Sequence, residues 1–339
     1  MSSVGTARER WLAESRGRAA DGRPGQPLAY DGRYKWTVLV TVVFGAFASI
    51  LDSTIVNTAL PQIQQDFKAN LHLASYVATG YILAAGVVVP ASAYLANRFG
   101  IKRVYLVSLT VFTAGSVLCG LAPSMVVLIA FRVLQGAGGA GLFSLSFALL
   151  FAAFAQSERG KANGVFGIPV LVAPTIGPTL GGYLTQYVDW RWIFFVNLPI
   201  GIACVFGALA YLHESRDDQH GGFDWPGFVF LTGGLFSLVL ALLRGNGWGW
   251  GSGRTLGLLA AAVVCLGAFA AVELAQKSPM FDLGLFRNPS FTAAQIIAFT
   301  ISSAMFSQFL FLTLYIQNQL HYSPLQAGLR FLPLSLLAF

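Results

Sequence analysis

The chain has 339 residues, 55% of them hydrophobic, and only 10% are Asp, Glu, Lys or Arg. A soluble globular chain carries about 25% charged residues, so this composition excludes an ordinary soluble enzyme, a disordered chain and a secreted disulfide scaffold. The formal charge of +7 fits either acidic lipid or nucleic acid as a partner, so the placement of the charges must decide between them.

Residues 1–35 hold seven basic and four acidic residues and no apolar core of signal-peptide length. They predict a flexible cytoplasmic tail, not a cleaved secretory signal. Arg8, Arg10, Arg16, Arg18, Arg23, Arg33 and Lys35 read as a topology signal. With mean hydropathy of +0.66 and about 20 apolar residues needed per span, the chain has room for roughly nine or ten spans. Apolar runs predict them at about 36–59, 72–95, 102–121, 124–154, 162–186, 192–212, 224–243, 254–274 and 290–316, and a tenth begins near Pro324 and is still running at Phe339. The runs are continuous, not alternating, which favours helices over strands.

The first span carries Asp52, in AFASILDSTIVNTALP. The joint after the second span, LANRFGIKR (95–103), is short and basic. It reads as a solvated topology signal or as a conformational latch. The fourth span carries Arg132, in MVVLIAFRVLQGAGGAGL. A charge at the centre of a spanning helix costs about 2.5–3.5 kcal/mol on insertion scales, so such residues face a cavity or a partner. Asp52 lies roughly 24 Å of helical rise past Trp36, and Arg132 lies roughly 12 Å into its span from the opposite side. In an apolar core of about 30 Å both fall in the outer half and meet if the two spans are neighbours. They read as a proton or cation site polarised by an arginine, or as a static ion pair.

Residues 136–141, GAGGAG, match GxGxxG, but a dinucleotide loop follows a strand and opens a helix. Here the glycines continue an apolar helical run, so they predict close helix packing. The fifth span, NGVFGIPVLVAPTIGPTLGGYL, contains Pro169, Pro174 and Pro178 with Gly177, Gly181 and Gly182. It reads as a gating hinge or a static kinked helix. HESRDDQHGGFD (213–224) is the most polar internal stretch and a predicted boundary. The seventh and eighth spans form a hairpin with the outer loop RGNGWGWGSGR (244–254), and QKSPMFDLGLFRNPS (276–290) leads to the ninth. There Gln295, Ser302, Ser303, Gln308, Gln317 and Asn318 line a cavity or bond to neighbouring helices.

Cys119, Cys204 and Cys265 sit in separate apolar runs without CxxC spacing, and His72, His213, His220 and His321 lack metal spacing. No disulfide and no metal site is expected. No stretch outside the spans is large enough for a catalytic domain, so no enzyme is expected either.

Placing the 21 basic residues sets the orientation. With the N-terminus in the cytoplasm, the tail together with Arg98, Lys102, Arg103, Arg159, Lys161, Arg216, Lys277 and Arg287 puts fifteen on the inner side. Lys68, Arg191, Arg244 and Arg254 make four outside, and Arg132 and Arg330 fall within spans. That is a strong positive-inside bias, and it assigns the charge to a lipid bilayer, not to nucleic acid. Trp36, Trp190, Trp192, Trp225, Trp248 and Trp250 lie at predicted span ends, as an interfacial belt requires; Trp11 does not.

Five ordered motifs carry a resemblance. LDSTIVNTALP (51–61), LIAFRVLQGAGGA (128–140), APTIGPTLGG (173–182), DWRWIFFVNLPIG (189–201) and SPMFDLGLFRNPSF (278–291) resemble the fourteen-span drug:proton antiporters of the major facilitator superfamily. The resemblance runs from about residue 36 to the end. It implies an all-α polytopic membrane protein with inverted three-helix repeats and alternating access. The implied domains are a tail (1–35), a six-helix bundle (36–213), an inserted hairpin (214–275) and the start of a second bundle (276–339), cut short in span ten.

By similarity, Asp52 and Arg132 carry proton coupling and, with Asn57 and Gln135, border the substrate cavity. Pro174, Gly177, Pro178, Gly181 and Gly182 form the exchange hinge. Asn97, Arg98, Gly100, Lys102 and Arg103 form the cytoplasmic latch. Ala93 and Asn97 stand where the family's latch motif has Gly and Asp, which removes a carboxylate from the latch. The implied function is proton-driven export of hydrophobic drug-like compounds or antibiotics across the plasma membrane, without a cofactor. The alternatives are export of another small metabolite, or a truncated membrane protein that does not transport. Sixteen arginines against five lysines point to a high-GC bacterial source.

Overall fold

The computed structural model describes residues 32–214, 224–276, 281–320 and 322. Residues 1–31 of the expected tail, Arg216, His220, Lys277, His321 and the expected tenth span with Arg330 lie outside them. The described residues form long helices: α1 (Gly32–Asp66), α2 (Leu71–Phe99), α3 (Ile101–Gly120), α4 (Met125–Ala153) and α5 (Arg159–Tyr187). The sixth span is a short α6 (Trp192–Phe195) continued by α7 (Asn197–Tyr211). Then come α8 (Trp225–Trp248), α9 (Gly253–Ala275) and α10 (Pro289–Asn318). Eight spans among the described residues are long and apolar enough to cross a membrane, and α10 covers the ninth expected position. Helix begins at Gly32, so Arg33 and Lys35 belong to α1 and not to the tail.

Local sequence sets the helix starts. Asn70, Ser124, Asp224, Ser252 and Asn288 each accept a backbone N–H of the first turn that has no partner inside its own helix. Gly100 separates α2 from α3 with φ of +98°, a left-handed value that suits glycine.

α1 threads the six-span bundle and packs on α2, α4, α5 and α7, while α4 packs against α2 and α3. The core of the bundle holds one cluster around Val42, Tyr105 and Phe112, a second around Ile55, Ile63 and Phe194, and a third around Leu39, Phe154 and Phe166. The 136–141 glycines do what close packing requires. A Cβ at Gly136 would overlap the backbone of Tyr81 on α2, and one at Gly138 would overlap Phe112 on α3. α4 therefore wedges between both helices at backbone contact.

The hairpin α8–α9 leans on α2 through α8. Its base is tied by Asp224, which accepts from the Gln276 amide at 2.7 Å, and by Glu273, which accepts the Phe281 N–H at 3.1 Å. Two expectations need correction. Arg244 is not in an outer loop: α8 continues to Trp248, and Arg244 is buried with its guanidinium 3.7 Å from the Tyr76 ring centroid. Trp190 does not lie on the bundle surface, where a belt residue would stand: it is 1% exposed and its Nε1–H donates to Asp66 at 2.6 Å. That bond and the Phe67 ring draw it inward to join α1 to the start of the sixth span.

Candidate functional site

Asp52 sits on the face of α1 that turns into the bundle and is 0% exposed; Arg132 on α4 is 1% exposed. Arg132 Nη1 donates to Asp52 Oδ2 at 2.5 Å. The same nitrogen donates to Gln135 Oε1 at 2.7 Å, and Gln135 Nε2 donates to Asp52 Oδ1 at 2.8 Å. The three-residue spacing of Arg132 and Gln135 puts both side chains on one face of α4, so they grip the carboxylate from the same side.

Other helices close the site. Arg132 Nε–H donates to the Val77 carbonyl on α2 at 3.0 Å, and the guanidinium lies 4.3 Å from the Tyr81 ring centroid. The Phe194 ring of α6 is 5.6 Å away. Asn197, the first residue of α7, donates through Nδ2 to Asp52 Oδ1 at 2.8 Å and to Ser116 Oγ at 3.1 Å. Ser116 Oγ–H in turn donates to the Phe194 carbonyl at 2.8 Å. Tyr81 Oη and Ser49 Oγ pair at 3.0 Å, and Ser49 donates to the Gly139 carbonyl at 3.1 Å.

This arrangement holds one anion and one cation in an apolar interior. Low dielectric makes their attraction strong and any uncompensated charge costly. If the carboxylate takes a proton, the arginine remains charged against aromatic faces, which favour a cation. The pair is thus chemically able to exist as ion pair or as acid plus cation, with the difference felt by four other helices.

The expected residues divide as follows. Asp52, Arg132 and Gln135 come together. Asn57 does not join them: its side chain is exposed, with Nδ2 3.4 Å from the Ser53 carbonyl of its own helix. Five residues turn an α-helix by about 140° beyond a full circle, so Asn57 faces away from Asp52. Asn197, Ser116 and Tyr81 were not expected. Asn197 carried a usable signal, an amide inside the apolar run 192–212, but its place near the predicted span end reads as interfacial.

On α5 the helix is unbroken through Pro169, Pro174 and Pro178. A Cβ at Gly177 would overlap the side chain of Thr54, and one at Gly181 would overlap Thr58 and lie 2.8 Å from the Ile55 carbonyl. These two glycines bring α5 to backbone distance from α1, beside Asp52. Gly182 faces open space, and Pro174 and Pro178 are half-buried.

At the α2–α3 joint, Asn97 is exposed. A carboxylate reaches this joint from another element. Glu214, just past α7, accepts the Lys102 backbone N–H at 3.1 Å and lies 3.6 Å from Arg103 Nε. Its carboxylate sits at the amino end of α3, where the helix dipole favours an anion. Lys102 Nζ donates to the Leu209 carbonyl at 3.0 Å, and Arg98 stacks on Phe99. Beside them His213 has its pKa held below the usual imidazole value by burial and then by the Lys102 ammonium. On α10, Gln295, Ser302, Ser303 and Gln308 are exposed; the side chains of Gln317 and Asn318 lie outside the described set.

Residues 42–339 match the family model described as Major Facilitator Superfamily. The chain is 35% identical over 301 residues to the tetracenomycin C resistance and export protein of Streptomyces glaucescens, covering 88% of this chain and 56% of that protein. It is 37% identical over 304 residues to the multidrug resistance protein Stp of Mycobacterium tuberculosis, covering 89% and 57%. It is 35% identical over 296 residues to the multidrug transporter protein MdtP of Bacillus subtilis, covering 87% and 54%. The chain therefore spans little more than half the length of these relatives. Among solved structures, the human organic anion transporter MFSD10 shares the fold with a TM-score of 0.57 at 16% identity, over 89% of this chain and 70% of that one. A peptide transporter, POT, does so with a TM-score of 0.55 at 14% identity, over 86% and 64%.

Proposed function

The chain belongs to the Major Facilitator Superfamily, and from that premise we propose that it works in proton-coupled export of hydrophobic, drug-like compounds or antibiotics. Its relatives are transporters and not enzymes, and its apolar helices make it a multi-pass membrane protein. It acts as part of a fourteen-span antiporter of a bacterial plasma membrane, N-terminus in the cytoplasm, driven by the proton gradient without a cofactor. The observation that carries it is the Asp52–Arg132 pair sealed inside the bundle, 0% and 1% exposed. A carboxylate so placed is held by several helices at once, so its protonation changes the balance between bundle arrangements.

In this reading Asp52 takes the proton, and Arg132 and Gln135 hold the ionised form. α5 slides or bends against α1 at Gly177 and Gly181, with Pro174, Pro178 and Gly182 in the same hinge. The latch of Asn97, Arg98, Gly100, Lys102 and Arg103 steadies the cytoplasmic side, with Glu214 supplying the carboxylate. Proton entry and substrate release alternate as the bundle opens to either face. Everted vesicles containing the chain test this with ethidium as the probe. Uptake driven by a proton gradient, lost with a protonophore and lost in Asp52→Asn, is expected. Uptake that persists in the protonophore or in Asp52→Asn would overturn the reading.

A further inference from the structure

All three side chains on the Asp52 carboxylate are donors. Arg132 Nη1 reaches Oδ2, and Gln135 Nε2 and Asn197 Nδ2 both reach Oδ1. That set suits the ion and fails the acid. A protonated carboxyl must donate its O–H, and a guanidinium offers no acceptor. Gln135 and Asn197 each carry an acceptor beside the donor they now use. The Gln135 carbonyl is committed: it accepts from Arg132 Nη1 at 2.7 Å and from Cys119 Sγ at 3.5 Å.

The Asn197 carbonyl is not. Its Oδ1 is buried without a hydrogen-bond partner among the described residues, on a side chain that is 0% exposed. A buried acceptor left unpaired is unusual and calls for a cause. Here it stands one amide rotation from the place that Nδ2 occupies. Ser116 allows the turn, because its own proton already goes to the Phe194 carbonyl at 2.8 Å and it would lose only the bond accepted from Nδ2.

We infer that Asn197 is a positioning residue that registers the protonation of Asp52: its amide donates to the ionised carboxylate and turns over to accept from the acid. Proton uptake on α1 is thereby transmitted to the α6–α7 junction and, through Ser116, to α3. The inference rests on the reading of Asp52 as the proton site. The other titratable groups facing Asp52 are Arg132 from α4, Tyr81 from α2 and Cys119 from α3. α6 and α7 present Phe194 and Asn197, and α5 meets α1 through Gly177 and Gly181.

Infrared difference spectra of the chain in liposomes, between alkaline and acidic buffer, test it. The chain carries a carbon-13 label at its asparagine side-chain carbonyls. A carboxylic acid band that Asp52→Asn removes should grow on acidification. A labelled amide band should move to lower frequency with the same midpoint, as its carbonyl gains a donor. In Asn197→Ala the acid band should move to higher frequency, because the acid loses its acceptor, and the amide change should vanish. If that variant does not fold, the labelled unmutated chain decides alone. An acid band that grows while the amide band stays still overturns the role of Asn197 and leaves Asp52 as the proton site. No acid band removed by Asp52→Asn overturns both.

Discussion

Arg132 Nη1 lies 2.5 Å from Asp52 Oδ2, with neither side chain more than 1% exposed. Opposite charges this deeply buried are worth most as a pair. Removing one partner strands the other in low dielectric, at a cost of about 3–5 kcal/mol, whereas removing both costs much less. Arg132→Leu is therefore expected to unfold at a clearly lower temperature than the Asp52→Asn/Arg132→Leu double variant. Thermal unfolding of the purified proteins, followed by tryptophan fluorescence, checks the order. A single variant as stable as the double would show that the pair's charges are not coupled.

The two glycines of α5 that touch α1 differ from the third that does not. A Cβ at Gly181 would overlap Thr58, while Gly182 has nothing within 4 Å. Gly181→Ala forces α5 away from α1 and should cost about 1–3 kcal/mol, as overpacking does. Gly182→Ala should be neutral or stabilising by about 0.5–1 kcal/mol, because alanine loses less backbone freedom in a helix. Thermal unfolding of the two variants side by side measures this. Equal losses would mean that the packing against α1 does not matter.

These cases show what sequence could and could not carry. Asp52 and Arg132 are legible because a charge inside an apolar run is rare and costly, so each marks itself. Span positions are legible for the same reason of composition. Asn57 shares the first-span motif with Asp52, and the helical turn sends it away from Asp52. Asn197 and Glu214 are hidden because their roles depend on packing across the bundle. Glu214 sits in HESRDDQH among charges that look equally solvated, and only the fold brings it to the amino end of α3. The extension of α8 that buries Arg244 is hidden because RGNGWGWG has the glycine content of a loop.

His213 gives a pH dependence with a definite sign. Its pKa is lowered from the ordinary 6.5 by burial and by Lys102, so the folded arrangement prefers the neutral ring. The stability it contributes is complete above 6.5 and is lost as pH falls from there through the lowered value. Its ring contact with Tyr34, at 4.7 Å between centroids, should loosen over that range. The fall in unfolding temperature between about pH 7.5 and about pH 5.5 should be smaller in His213→Gln than in the unmutated chain. Equal falls would exclude His213 as a source of the pH dependence.

A buried cation helps to join the hairpin to α2. The Arg244 guanidinium lies 3.7 Å from the Tyr76 ring centroid, and Arg244 is 7% exposed. A desolvated cation on an aromatic face contributes on the order of 2 kcal/mol. α2 and α8 also approach each other at Gly86, where a Cβ would touch Val239 Cγ2 at 4.0 Å. Arg244→Met keeps much of the side chain's bulk and removes the charge, so it should let α8 swing from α2 without unfolding either helix. Cysteines placed at 86 and 239 would report this, since a Cβ at 86 lies 4.0 Å from the γ position of residue 239 and a disulfide tolerates little added separation. Oxidative crosslinking should be fast in the otherwise unmutated chain and several-fold slower with Arg244→Met. Unchanged crosslinking would mean that the apolar surfaces of α2 and α8 hold the hairpin on their own, and that the buried arginine serves some other need.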